Sequence, residues 1–197
     1  ITEANAATTC TSGITSMYEL FYSATSFNQP IGNWDVSNVT DMRYMFENAS
    51  LFNQPIGDWD VSSVTNMWGM FEDASSFNQP IGDWDVSSVT DMQQMFYIAI
   101  VFNQDISNWD VSNVTNMRNM FNNADAFNQP IGNWDVSSVS SMSYMFAAGA
   151  FNQDISNWDV SSVTDMGGVF VDNQVFNQPI GDWDVSNVTY MGVVFAG

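Results

Sequence analysis

Apolar and polar positions recur along this chain with a fixed stride. Tryptophan stands at Trp34, Trp59, Trp84, Trp109, Trp134, Trp158 and Trp183, in steps of 25 residues except for one of 24. Phe27, Phe52, Phe77, Phe102, Phe127, Phe151 and Phe176 keep the same rhythm. The short step comes from one missing residue in Ala147–Ala150, after Phe146. Such a period marks a repeat architecture, in which no unit buries its apolar face alone and stacking makes one continuous core. From Phe27 the unit reads FNQPIGNWDVSNVTDMRYMFENAS plus one residue, in seven copies with the last truncated. A partial copy precedes them, since Thr15–Phe21 matches Thr40–Phe46. The expected layout is a single domain over residues 1–197: an N-terminal cap at 1–14, a partial repeat at 15–26 and the seven repeats at 27–197.

Within the unit the period changes. Trp34 and Val36 alternate with Asp35 and Ser37, which predicts a strand with one buried face. Met42, Met45, Phe46 and Ala49 follow the i, i+3, i+4, i+7 spacing of a helix face, with Thr40 or Asp41 placed to cap it. Pro30 and Gly32 mark the returning turn. In two copies Pro-Ile-Gly becomes Asp-Ile-Ser, at Asp105–Ser107 and Asp154–Ser156, which suggests two interchangeable turn chemistries. The predicted fold is an α/β, leucine-rich-repeat-like solenoid with one parallel strand and one short helix per 25-residue repeat. Strands about 4.8 Å apart and helices about 8–10 Å apart would bend such a stack, with the strands concave.

The segment Ile31-x-x-Trp34-x-Val36-x-x-Val39 resembles the strand segment of a leucine-rich repeat with leucine replaced. The whole unit, from Phe27-Asn-Gln-Pro-Ile through Trp34-Asp-Val-Ser to Met45-Phe46, resembles the BspA-like surface-protein repeats of mycoplasma lipoproteins and related microbial proteins. The resemblance covers residues 15–197. It implies a cell-surface or secreted location and a role in adhesion or scaffolding, and it carries over no catalytic residue.

Charge narrows the partners. There are 22 acidic residues against Arg43 and Arg118 as the only basic ones, with no Lys and no His. Nucleic acid and anionic membranes are expected to be repelled, because both require cationic side chains to neutralise phosphate. Lacking His and Lys, the chain lacks the commonest general base and amine catalysis. Its carboxylates are periodic rather than gathered at one asymmetric site, so it is expected not to be an enzyme. Cys10 has no intrachain partner and is read as a small buried residue. No apolar run approaches the roughly 18 residues of a membrane span. The start at Ile1 rather than Met is expected of a processed chain or a fragment.

The candidate site is a double column: Asp35, Asp60, Asp85, Asp110, Asp135, Asp159 and Asp184 beside Ser37, Ser62, Ser87, Ser112, Ser137, Ser161 and Ser186. Alternation places both opposite Trp and Val, on the exposed side. Like charges about 5 Å apart repel by just under about 1 kcal/mol per neighbouring pair in water, so the column invites an explanation. It could array cations, a repetitive polymer, or a lattice such as ice or mineral. It could equally hold register by accepting hydrogen bonds from a neighbouring repeat. Calcium needs six to eight oxygens, so no cofactor is assigned, with Ca²⁺ as the alternative. A second column, from Asn28 to Asn177 with Gln following each, reads as a structural amide ladder. Asn38, Asn48, Asn113 and Asn187 begin glycosylation sequons. Trp68 lies outside the pattern and is expected on the exposed side of a helix. Variation gathers at Arg43-Tyr44, Trp68-Gly69, Gln93-Gln94, Arg118-Asn119 and Ser143-Tyr144. The expected function is a non-enzymatic extracellular or cell-surface scaffold or adhesion module whose partner is an extracellular protein, a glycan, or other copies of itself. The alternatives are a filament subunit stacking head to tail, and a binder of a periodic surface.

Overall fold

The computed structural model describes residues 5–197. It corrects the expected strand–helix unit. Among the described residues the one helical element is a 3-10 turn at Ala6–Thr8, and the only bridges are isolated ones. Each repeat is instead a chain of β-turns. Around the first full copy, Trp34 N–H donates to the Ile31 carbonyl at 3.0 Å, Val39 to Val36 at 2.8 Å, Met45 to Met42 at 3.3 Å, Ala49 to Phe46 at 3.0 Å and Phe52 to Ala49 at 2.9 Å. The apolar residues occupy the corners of these turns, and every one of them is buried.

This explains the misreading. The first and fourth residues of these turns both face the core, so consecutive turns reproduce the three-residue spacing of a helix. What rules out a helix is the backbone between them. Tyr44 and Asn48 have φ of 56° and 55°, and the same two places have positive φ in every copy, from Glu19 and Ser23 to Val193 and Gly197. An α-helix requires φ near −63° throughout.

The left-handed residues free alternate N–H groups for the next repeat. Met42, Tyr44, Phe46 and Asn48 donate to the carbonyls of Asn66, Trp68, Met70 and Glu72 at 2.7–3.1 Å. Thr65 returns one bond, to the Thr40 carbonyl at 2.9 Å. A ladder of parallel bridges results, from Ser16 through Asp41, Asn66, Asp91, Asn116, Ser141 and Asp165 to Tyr190. It runs through the segment expected to be helical, while Trp34–Ser37, expected as the strand, forms no bridge.

Side chains stack in register with the ladder. Phe46 lies 5.6 Å from Phe71 at 6° between planes, and Trp34 lies 6.4 Å from Trp59 at 6°. Each buried indole N–H finds a carbonyl in the preceding repeat, as Trp59 does at Ile31, 3.1 Å away. The Trp34 indole uses the Ala6 carbonyl at 2.9 Å. Ala6 is therefore the counterpart of Ile31, and buried Thr11 is the counterpart of Val36, its hydroxyl without a hydrogen-bond partner. Residues 6–14 of the expected cap thus follow the repeat's path, while residues 1–4 lie outside the described residues. Cys10, read as buried, is exposed.

Glycine is required where the returning turn meets the next repeat. A Cβ on Gly57 would sit 2.5 Å from the Pro80 carbonyl oxygen, whereas one on Gly181 would meet nothing within 4 Å. Gly57→Ala should therefore destabilise the protein by about 1–3 kcal/mol, and Gly181→Ala should leave the melting temperature nearly unchanged. Thermal melts of the two variants side by side check this.

Candidate functional surface

The aspartates of the column are exposed, as the alternation implies, whereas Ser37, Ser62, Ser87, Ser112, Ser137 and Ser161, expected beside them on the exposed side, are half-buried, and the hydrogen bonding of the column is local. Asp60 Oδ1 accepts from the Ser62 N–H at 3.1 Å and from the Ser62 hydroxyl at 2.6 Å. Asp35, Asp85, Asp110 and Asp135 hold Ser37, Ser87, Ser112 and Ser137 in the same way. Asp159 and Asp184 accept from the Ser161 and Ser186 N–H groups at 3.0 Å. Each carboxylate thus closes a turn within its own repeat. The hydrogen bonds from serine hold the carboxyls of Asp35, Asp60, Asp85, Asp110, Asp159 and Asp184 below the ordinary 3.8. At Asp60, Asp85, Asp110 and Asp184 the Asp of the preceding repeat pushes weakly the other way, as Asp35 does on Asp60. The Asp-Ile-Ser turns use the same chemistry, with Asp105 Oδ1 accepting from Ser107 N–H at 2.9 Å.

Register between repeats is carried by other side chains. Asn28 Oδ1 accepts from the Asn53 N–H and the Gln54 amide, both at 3.0 Å. Thr65 Oγ1 donates to the Thr40 carbonyl at 3.2 Å, and the threonine column repeats this contact. Of the sequon residues, Asn38, Asn113 and Asn187 are exposed and Asn48 is half-buried. The amides of Asn113 and Asn187 donate to the Ser87 and Ser161 carbonyls at 2.8 Å, and that of Asn48 to the Ser23 hydroxyl at 3.3 Å. Among the described residues, no three acidic or thiol side chains converge on a point that could hold a metal ion.

The variable positions build a second surface, which the sequence marked only as a place of variation. The Arg43 guanidinium pairs with Asp41 at 2.7 Å and lies over the Tyr18 ring, 5.0 Å from its centroid. Tyr18 meets Tyr44 edge-on at 6.2 Å, and Tyr44 meets Trp68 at 5.1 Å. Trp68, expected to be exposed, is half-buried, with its indole donating to Gln94 Oε1 at 3.1 Å. Tyr44 lies on Gly69 and Tyr144 on Gly168, where any side chain would collide with the ring. Burial, then Glu72 and Glu47, pushes the Tyr44 phenol up to about 12. Beside it, burial, then Glu47 and Asp73, raises the Glu72 carboxyl to about 7.

The family model described as "Mycoplasma protein of unknown function, DUF285" matches residues 2–107, 79–150 and 147–197. The chain belongs to this family. The match agrees with the mycoplasma side of the resemblance, whereas the strand–helix fold implied by its leucine-rich-repeat side is not formed. No curated protein and no solved structure matches the chain. None of its helices is long and apolar enough to cross a membrane, among the described residues.

Two expectations follow for this DUF285 chain. Asp110→Asn keeps an acceptor for Ser112 and removes a repelling charge, whereas Asp110→Ala removes the acceptor. Asp110→Ala should lower the melting temperature below that of Asp110→Asn, by the same amount with and without calcium, as calorimetry can show. Glu72 contributes in the opposite sense to the Asp column. With its folded value about 7 against an ordinary 4.5, its contribution is full below 4.5 and is lost as pH rises through about 7. The depressed aspartates contribute above 3.8 and lose that contribution on further acidification. Glu72→Gln should flatten the fall in stability between pH 4.5 and 7 and leave the acid limb in place, as melting temperature against pH will show.

Proposed function

We propose that this chain is a non-enzymatic scaffold of a cell surface or extracellular layer, and that it adheres to an extracellular protein or glycan through its variable segments. The observation that carries this reading is the division of the outer surface. The Asp–Val–Ser turns repeat without change, so they offer no irregular pattern for an individual partner to recognise. The variable segments supply what an adhesive patch uses, namely aromatic rings and a guanidinium grouped in one place around Tyr18, Arg43, Tyr44 and Trp68. Their frame is held from behind by the main-chain ladder. The resemblance to mycoplasma surface repeats supports the location. The net charge of −20 keeps such a surface away from nucleic acid and anionic lipid.

The test is binding of the immobilised chain to arrayed glycans, matrix proteins and host-cell surfaces. Binding should fall at least tenfold in Tyr18→Ala, whose parent side chain is 46% exposed, and should survive in Asp110→Asn. Loss of binding in Asp110→Asn with retention in Tyr18→Ala would transfer the role to the Asp column, and absence of any binding would remove the adhesion reading.

A further inference from the structure

One polar column of the repeat has no partner inside the molecule. The residue before each repeating tryptophan is Asn33, Asp58, Asp83, Asn108, Asn133, Asn157 or Asp182, always an amide or a carboxylate. All seven are exposed, and none of their side chains makes a hydrogen bond among the described residues. Other columns of the same chemistry are used internally. Asn28 Oδ1 accepts from the Asn53 N–H, Asp60 Oδ1 from the Ser62 N–H and Asp41 Oδ1 from the Arg43 N–H, at 3.0–3.1 Å. Turns favour Asn and Asp because the side chain bonds back to its own main chain, and in this column that bond is not made.

The column lines two clefts on one edge of the stack. The larger, of about 410 Å³, lies between Asp58, Pro80, Asp83, Gln104, Asp105 and Asn108, and its size is that of a small-ligand site. The smaller, of about 250 Å³, lies between Pro130, Asn133, Gln153, Asp154 and Asn157. Both occur where a Pro-Ile-Gly turn is followed by an Asp-Ile-Ser turn. Gly82 and Gly132 lie against the Asp105 and Asp154 carbonyls, where a Cβ would collide. The lining is held in place beforehand: Gln104 donates to Asn78 Oδ1 at 2.9 Å and Gln153 to Asn128 Oδ1 at 3.1 Å, while Asp105 and Asp154 accept from the Ser107 and Ser156 N–H groups at 2.9 Å. With neighbouring copies about 5 Å apart, Asp58 to Asn157 form a strip about 20 Å long.

We propose that this edge binds a neutral oligosaccharide laid along the stack, over Asp58, Asp83, Asn108, Asn133 and Asn157. Sugar hydroxyls both donate and accept, and here they meet carboxylates that accept and amides that do both. The proline rings and glycine backbone between those groups suit the C–H faces of a sugar ring. Asn and Asp replace one another along the column, so hydrogen-bonding capacity is kept from copy to copy and charge is not. A cationic ligand fits this poorly, since the larger cleft has three carboxylates and the smaller has Asp154 alone. Among the described residues no three acidic side chains converge on a metal site, and an anionic chain would be repelled. Each contact is weak and open to water, so affinity comes from engaging several copies at once. The strip shares no residue with the cluster around Tyr18, Arg43, Tyr44 and Trp68, and it stands whether or not that cluster is adhesive.

Calorimetric titration of the whole chain with linear hexose and N-acetylhexosamine oligosaccharides of increasing length tests it. Affinity should rise with length until the strip is filled and then level off. Asp83→Ala with Asn108→Ala should weaken binding about tenfold or more, as should Asn133→Ala with Asn157→Ala, with the melting temperature of each unchanged. Asp83→Asn should bind as wild type does, because an amide serves a hydroxyl as well as a carboxylate. Tyr18→Ala should bind as wild type too, so that failure of this site and failure of the adhesive cluster are told apart. Should the alanine variants melt at a lower temperature, Asp83→Ser with Asn108→Ser takes their place, since serine suits the turn and still withdraws the amide and the carboxylate. The proposal is overturned if no length of either chain binds, or if the variants at Asp83 and Asn108 bind as strongly as wild type. Loss of binding in Asp83→Asn overturns it as well, and capture of oligolysine in its place would make the ligand a basic peptide.

Discussion

The constraint on which this structure depends is the division of main-chain N–H groups between two uses. Along each hydrogen-bonded segment, one N–H closes a turn within its own repeat and the next reaches the repeat that follows. A helix keeps all of these bonds internal, and a flat strand sends none of them back to its own segment. The alternation seen here does both, and it requires a left-handed residue at two fixed places in each copy. Asn, Asp and Gly fill many of them, as at Asn48, Asp73, Gly69 and Gly168, which suits their tolerance of that region. Tyr44, Gln94 and Ile98 adopt it as well. For a β-branched residue such as Ile98 the conformation is costly, and the bonds to the neighbouring repeats hold it there.

Once the ladder is set, every position faces its own copy one repeat away, and each residue type is tested against itself. Phe and Trp pass because parallel offset rings attract. Asn passes because its carbonyl can accept from the next repeat while its own N–H donates to the previous one. Asp fits this rule least well, since its copies repel. It is kept in check by turning each carboxylate onto its own serine, so that hydrogen bonds within a repeat offset the repulsion between repeats.

Much of this was legible in the sequence. The spacing of Trp and Phe gave the repeat, its length and the buried columns, because a stack converts period directly into contact. The exposure of the Asp column and the amide ladder from Asn28 onward were also readable, since alternation and side-chain chemistry decide them locally, whereas the serines, drawn in by their own turns, are half-buried. The backbone between the core positions was not. Met42, Met45, Phe46 and Ala49 have the same spacing on a helix and at the corners of successive β-turns, and only φ at Tyr44 and Asn48 separates the two. Left-handed tyrosine and isoleucine give no sequence signal, because the neighbouring repeats impose them. The cluster of Tyr18, Arg43, Tyr44 and Trp68 was hidden for a related reason. Its members come from three different repeats and meet only after stacking.

The tyrosines lying on glycines bear on how such an array can change over time. The buried columns are nearly uniform, so the interior would accept its repeats in almost any sequence. The outer face would not. Tyr44 fits because the following copy has Gly69, and Tyr144 fits because the following copy has Gly168. Deleting the copy that carries Gly69 would bring Gln94 to that place, beneath the ring. Near-identical repeats invite unequal crossing-over, which shortens and lengthens genes by whole units. In this chain the ring-on-glycine pairs tie adjacent units together, so that a gain or loss of units must keep neighbouring pairs of repeats matched rather than single ones.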